Sequence, residues 1–300
     1  MKRAIATVPA TSANLGPGFD CLALALNLRN AVEIELAEME SEIIIEGEGE
    51  DMLPRDDSNL CIIAAKKVLQ ELGESENDLR IRMINRIPPG SGLGSSAAAI
   101  VGGMLASNAL ADGDLSVNDI LNLALEFEGH PDNAAAALFG GLVIVSHDNG
   151  VLLRTVPVPQ LHVVCVIPEI DVQTSRMRQI LPAQVSYQDA VFNIGRTALT
   201  IEALRMGDYE LMGRAMKDRL HQPYRQSMIP GYQDAETAAL ETGAASVVLS
   251  GAGPALIAFA PANHQAIAAA MHDAFHAHGH DTREYVLELE CDGAEVSVEE

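Results

Sequence analysis

Two hydrophobic periods run along this chain. The alternation in Val32-Glu33-Ile34-Glu35-Leu36 is that of a half-exposed strand, and short apolar runs at residues 4–9 and 43–45 read as strands beside it, which predicts an antiparallel meander. Ile81, Met83 and Ile87 alternate with Arg80, Arg82 and Arg86 in a further strand. Helical signals lie between and after these runs: Ser58 can cap a helix that reaches Leu72 and stops at Gly73, and Leu115-Ser116 opens a helix to Glu128. Gly129-His130-Pro131-Asp132-Asn133 interrupts that helix, after which Asp132 or Asn133 can cap a short one ending at Phe139. Residues 142–145 and 151–156 then form a strand pair around the turn Asn149-Gly150.

Pro157 and Pro159 mark a boundary between residues 1–156 and 157–300. Beyond them the pattern gives a strand at 161–167, helices at 189–206, 209–218 and 232–242, strands at 246–249 and 255–259, a helix at 264–278 and a strand at 285–290. That order is an elaborated β-α-β-β-α-β unit. Val191, Ile194, Ala198 and Ile201 share one helical face, as do Ile267, Met271 and Phe275, and both faces are predicted to be buried. Residues 293–300 are predicted to fray.

Length agrees with the boundary: 300 residues, at about 100–200 per domain, make two domains, and 48% hydrophobic content is enough for a substantial core. A net charge of −23 argues against nucleic-acid and anionic-membrane partners, which require a basic surface. Cys21, Cys61, Cys165 and Cys291 are scattered without a C-x-x-C pair, which fits a reduced, cytoplasmic setting. The apolar run after Met1-Lys2-Arg3 is broken at Thr7 and Pro9, so no targeting segment is expected. Residues 91–111 carry no charge over a membrane-spanning length, yet their glycines, serines and Asn108 point to a buried Ala/Gly helix instead.

The candidate chemistry starts in Pro88-Pro89-Gly90-Ser91-Gly92-Leu93-Gly94-Ser95-Ser96, where three glycines at alternate positions run into two hydroxyls and a helix. Amides exposed by glycines and the positive end of a helix suit a phosphate. The loop lacks the lysine of a Walker sequence and the glycine spacing of a dinucleotide fingerprint. By itself the pattern is equally a turn that caps a tightly packed helix.

Three separated motifs, at residues 9–20, at residues 88–96 and in Leu249-Ser250-Gly251-Ala252-Gly253-Pro254, together resemble the GHMP small-molecule kinases, in that family's order and across both halves. Within the family, TSANLGPGFD, EGHPDN, the Thr174-x-x-x-Arg178-x-x-x-Pro182 stretch and QPYRQSMIPGY resemble the members that use ATP to convert L-homoserine to O-phospho-L-homoserine in threonine biosynthesis. The resemblance implies an α+β fold, with an N-terminal domain like domain 2 of ribosomal protein S5, a ferredoxin-like C-terminal domain and an active site between them. It also implies Mg2+ and, by analogy with relatives, a homodimer. Another small-molecule kinase of the same family remains an alternative. A non-catalytic nucleotide-binding sensor is another, although Ser96, Glu128, Asp20, Arg178 and Arg225 are intact.

The same resemblance assigns the triphosphate to Pro88, Pro89, Gly90, Ser91, Gly92, Leu93, Gly94, Ser95, Ser96, Ala97 and Ala98, with Ser95 and Ser96 as hydroxyl donors or metal ligands. Magnesium prefers one or two carboxylates beside phosphate oxygens and water. Glu128 is the expected carboxylate, Ser96 its partner and Glu126 the competitor. Asn59 matches a residue near the adenine, or else is a local cap. Arg178 and Arg225 match positions that bind the amino-acid carboxylate or the nearby phosphate. Asn14 and Asp20 match residues around the acceptor hydroxyl, and His130, Asn133 and Thr174 complete the pocket. Asp20 can orient the hydroxyl or act as a base; the aspartate proposed as base in several relatives is replaced here by Asn133.

Overall fold

The computed structural model describes residues 2–37, 41–74, 78–148 and 150–300, so the expected turn residue Asn149 lies outside the described residues. The first half runs β1 (Arg3–Ala13), β2 (Leu22–Leu36), β3 (Glu42–Gly47), α1 (Leu60–Glu71), β4 (Leu79–Asn85), α2 (Ser95–Leu110), α3 (Val117–Glu128), α4 (Asp132–Phe139), β5 (Leu142–His147) and β6 (Val151–Val156). The second runs β7 (His162–Pro168), α5 (Thr174–Gln179), α6 (Tyr187–Met206), α7 (Tyr209–Ala215), α8 (Gln222–Arg225), α9 (Tyr232–Glu241), β8 (Ser246–Leu249), β9 (Leu256–Phe259), α10 (His264–Ala277), β10 (Thr282–Glu288) and β11 (Glu295–Glu299).

The first sheet has the order β11-β1-β2-β4-β3, with β5 pairing β2 and β6 beyond it. The meander is therefore not formed as expected: β3 lies parallel to β4 and, among the described residues, is not paired with β2. The α1 crossover permits that parallel pairing, and the charges favour it. Arg80 pairs with Glu35 of β2 (3.1 Å) and Glu42 of β3 (2.7 Å), while Arg82 pairs with Glu33 (3.1 Å) and Glu46 (2.8 Å). Both arginines need a carboxylate strand on each side.

Helix α2 packs on this sheet as the expected buried Ala/Gly helix. A Cβ on Gly102 would meet Val32 at 2.7 Å and one on Gly103 would meet the Cys61 carbonyl at 2.5 Å, so the small residues let sheet and α1 close on the helix. Among the described residues no helix is long and apolar enough to cross a membrane. The cap of α1 is Asn59 rather than Ser58, because the side-chain Oδ1 of Asn59 accepts from the Cys61 N–H at 2.9 Å while Ser58 bonds to Asp56. The expected cap at Ser116 is present with its reciprocal Asp119 bond.

The second sheet has the order β10-β7-β9-β8, all antiparallel, which is the ferredoxin-like arrangement. Ile267, Met271 and Phe275 of α10 are buried as expected. Helix α6 is turned the other way. Val191, Ile194 and Ala198 are exposed and Ile201 only partly buried, whereas Asn193 and Thr200 face inward. Hydrogen bonding decided this orientation: Asn193 Nδ2 donates to the Pro17 carbonyl (3.1 Å) and to Asp218 Oδ1 (2.7 Å), and Thr197 Oγ1 donates to the same Pro17 carbonyl (2.9 Å). A buried carbonyl left without donors is more costly than an exposed valine.

The chain end does not fray. Residues of β11 are exposed, which is why their sequence reads as a tail, but Arg3 to Thr7 of β1 pair with them. Arg29 clamps the approach, donating to Glu290 and to the carbonyls of Asp292 and Gly293, all at 3.1 Å. Replacing Arg29 by Ala is expected to speed amide exchange across residues 295–299 about 10–100-fold, since charged hydrogen bonds contribute about 1.5–3 kcal/mol. Unchanged exchange there would contradict the clamp.

Candidate active site

The glycine loop crosses from β4 to α2 in left-handed steps, with Gly90 at φ 68°, Gly92 at 89° and Gly94 at 71°. Between them Ser91 and Leu93 turn inward; Ser91 Oγ donates to the Pro88 carbonyl at 2.7 Å and accepts from the Leu93 N–H at 3.2 Å. Gly94 is the N-cap of α2 without a side-chain bond of its own, and the Ala98 N–H already donates to the Gly94 carbonyl. Ser95, Ser96 and Ala97 therefore keep the N–H groups that have no acceptor within the helix. Leu93 and Ala98 act as scaffold, since their N–H groups are engaged and their side chains lie in the core.

The loop at residues 250–254 closes on it from the second sheet. Ser250 Oγ donates to the Gly92 carbonyl (2.8 Å), the Ala255 N–H donates to the Ser91 carbonyl (3.0 Å) and the Gly251 N–H donates to the Ala13 carbonyl (3.1 Å). At Gly92 a Cβ would stand 2.5 Å from the Ser250 carbonyl oxygen, so this approach requires glycine. Asn14 joins the same junction, donating from Nδ2 to the Gly251 carbonyl (2.8 Å) and accepting from the Asp20 N–H (2.9 Å).

A cleft of about 300 Å3 lies at this meeting point, and Asn14, Asp20, His130, Asn133, Thr174, Arg178 and Arg225 all line it beside Gly90 to Gly92, Gly94, Ser95, Ser96 and Glu128. Two of its charges meet directly: Arg178 forks onto both oxygens of Asp20 at 2.8 and 2.9 Å. Phe19 lies under both guanidinium groups, 5.3 Å from Arg178 and 5.2 Å from Arg225. Arg225 is only 2% exposed, and burial together with Arg178 draws its pKa down to about 10.

Glu128 lines the cleft with Ser95 and Ser96 of the glycine loop. Burial pushes its pKa up, His130 and the neighbouring Ser96 hydroxyl draw it back and Asp132 adds to the rise, while Oε2 is buried without a partner. An orphaned carboxylate oxygen near a serine hydroxyl suits a hard cation, for which Ser96 and Glu128 would be the protein ligands. Glu126 is exposed and pairs with Lys67 at 3.2 Å, so it points away from this site. A second cavity of about 250 Å3 adjoins the loop, walled by Leu53, Leu60, Met83, Pro89 and Ala99. Asn59 lines it too, although its amide is committed to capping α1 and to the Pro54 carbonyl. Pro88 and Pro89 border a separate cavity on the outer side of the loop.

Asp132 was expected only as a cap. It is 1% exposed and carries no capping bond to its helix beyond Asn133; Oδ1 instead meets His130 Nδ1 at 2.9 Å and accepts from the Asn133 N–H at 2.8 Å. Burial opposes a charge on His130, but the bond and charge of Asp132 outweigh it and raise the His130 pKa, with Glu128 and Asp20 adding. Thr11, the first residue of the TSANLGPGFD motif, orients Asn133 by donating to Oδ1 at 2.8 Å. An acid inside the alanine-rich stretch at residues 132–137 was the available signal for Asp132, and the motif TSANLGPGFD, which begins at Thr11, was the signal for Thr11.

Comparison with known proteins agrees with this geometry. Residues 59–141 match the GHMP kinases N terminal domain and residues 200–277 the GHMP kinases C terminal region. The chain is 48% identical to a homoserine kinase of Moorella thermoacetica over 84% of its own length and 86% of that protein. It is 42% identical to a homoserine kinase of Desulfitobacterium hafniense over 96% and 98% of the two chains. The crystal structure of homoserine kinase from Cytophaga hutchinsonii superposes with a TM-score of 0.89 at 34% identity, covering 98% of this chain and 97% of that one. A glycine loop built at the junction of two such domains, and this degree of likeness along the chain, are those of a phosphotransferase: the chain belongs to the GHMP kinase family, in its homoserine kinase branch.

Proposed function

We propose that the cleft transfers the γ-phosphoryl group of ATP to the side-chain hydroxyl of L-homoserine, with residues 1–156 holding the nucleotide and residues 157–300 supplying the arginines. The observation that carries this reading is the Arg178–Asp20 fork over Phe19, with Arg225 beside it. Two guanidinium groups and a carboxylate at one end of a phosphate site match a substrate that brings both a carboxylate and an ammonium. On binding, the substrate carboxylate takes Arg178 and Arg225, and its ammonium takes Asp20 and the neighbouring Asp132.

The free N–H groups of Ser95, Ser96 and Ala97 hold the triphosphate, and the apolar cavity beside Asn59 receives the base. Ser96 and Glu128 would hold Mg2+, which when bound neutralises triphosphate charge. Asp20, released from Arg178 as the substrate carboxylate takes that guanidinium, orients the acceptor rather than abstracting its proton, and the hydroxyl proton passes to a phosphate oxygen as the bond to phosphorus forms. The protein's contribution is in-line positioning and exclusion of water. ADP release measured across L-homoserine, mevalonate, shikimate and galactose tests the reading. Homoserine is expected to give the highest kcat/KM, and preference for any other acceptor would refute it.

A further inference from the structure

We propose that His221 is a positioning residue that locks Arg225 to the substrate loop, so that the carboxylate-binding guanidinium and the Asn14–Asp20 segment are held as one unit. The proposal rests on the homoserine reading above and adds a residue that does not line the cleft.

His221 is completely buried and precedes Arg225 by one helical turn, which puts both side chains on one face. Its Nε2–H donates to the Gly16 carbonyl at 2.8 Å, and its Nδ1 faces Arg225 Nη1 at 3.2 Å. A guanidinium has no lone pair to offer, so Nδ1 must be the acceptor, and the two bonds together define a neutral ring with its proton on Nε2. The same ring stacks on Phe19, with centroids 5.0 Å apart and planes 27° apart. One imidazole therefore touches the backbone of the substrate loop, the aromatic floor of the arginine pair and one of the arginines.

The surroundings keep the ring neutral. Burial is the largest influence and lowers its pKa; Asp218 and Asp20 pull upward and Arg225 pushes down. Asp218 Oδ2 lies 3.5 Å from Nε2, yet it already accepts from the N–H groups of His221 and Gln222, while Oδ1 accepts from Leu220 and Asn193. A proton added at Nδ1 would face the guanidinium directly.

The remaining bonds of Arg225 show what the lock achieves. Nε donates to the Met177 carbonyl and Nη1 also donates to the Gly251 carbonyl, both at 3.1 Å. Among the described residues Nη2 makes no protein hydrogen bond, so it is the donor left for a substrate carboxylate. Bidentate or single, that bond requires a guanidinium whose plane is fixed, and His221 supplies one of its three fixed points.

The test compares wild type with His221→Phe, which keeps the ring stack but loses both bonds, and with His221→Gln, whose amide can donate and accept. Losing one hydrogen bond to a charged group corresponds to about a 10–100-fold loss. The KM for L-homoserine is expected to rise by about that factor in His221→Phe, with the KM for ATP within about twofold of wild type. His221→Gln is expected to recover most of the difference. If the Phe variant folds poorly, His221→Asn replaces it, since its shorter amide cannot span Gly16 and Arg225. An unchanged homoserine KM, equal damage to both KM values, or a Gln variant no better than Phe would each overturn the proposal. Nitrogen NMR of the wild-type ring is independent of turnover: a neutral Nε2–H form at pH 6 supports the lock, and a charged or Nδ1–H form overturns it. A wild-type enzyme without homoserine turnover but with the neutral Nε2–H ring would refute the substrate assignment, not the geometry.

Discussion

Glu128→Gln is expected to lower kcat by about 10²–10³-fold, the loss typical of removing one preorganised electrostatic partner from a transition state. The same substitution should leave the thermal midpoint at pH 7 unchanged or higher. The two signs follow from one observation: burial raises the Glu128 pKa and Oε2 has no partner, so the ionised carboxylate is held in the fold at a cost. A carboxyl whose folded pKa lies above its unfolded one opposes folding once it is ionised, and that opposition is absent below the unfolded pKa and grows as pH rises through that value toward the folded pKa. Gln removes the charge and with it the penalty. Kinetics and calorimetry on Glu128→Gln and Glu126→Gln check both parts. A Glu128→Gln enzyme within tenfold of wild type, beside an inactive Glu126→Gln, would move the metal carboxylate to Glu126.

Gly92→Ala is expected to damage activity and stability together. Alanine at φ 89° enters the left-handed region, at about 1–2 kcal/mol, and its Cβ would press on the Ser250 and Gly253 carbonyl oxygens at 2.5 and 2.9 Å. Both neighbours are backbone, so no side chain can swing aside, and overpacking of this kind adds about 1–3 kcal/mol. Urea denaturation should therefore show a loss of about 2–5 kcal/mol, and kcat/KM should fall because the glycine loop and the loop at residues 250–254 can no longer bond. Gly90, whose Cβ would meet nothing within 4 Å, is the control: Gly90→Ala carries only the backbone penalty. Wild-type stability in Gly92→Ala would contradict the junction.

How much of this was legible beforehand depended on the range of the forces involved. The second-half strand order could be read because its elements are short, regular and locally punctuated, and Ser246–Leu249 appears as expected. The glycine loop was legible because left-handed backbone demands glycine. Helix α6 was misjudged since its periodicity reports apolar spacing but not the Pro17 carbonyl that Asn193 and Thr197 must satisfy from 176 and 180 residues away. Strand β3 was misplaced because pairing partners are set by Arg80 and Arg82 across the sheet. The site residues were gathered by motif, but their couplings were not: Asn14 to Gly251 spans 237 residues and His221 to Gly16 spans 205. Asp132 looked like a helix cap because a cap and a buried partner for His130 have the same local sequence.

Phosphorus NMR of a reaction containing the protein, ATP, Mg2+ and L-homoserine tests the central claim most directly. The predicted result is O-phospho-L-homoserine formed in equal amount to ADP, abolished when homoserine is omitted. Nucleotide binding without transfer of phosphorus to homoserine would contradict it.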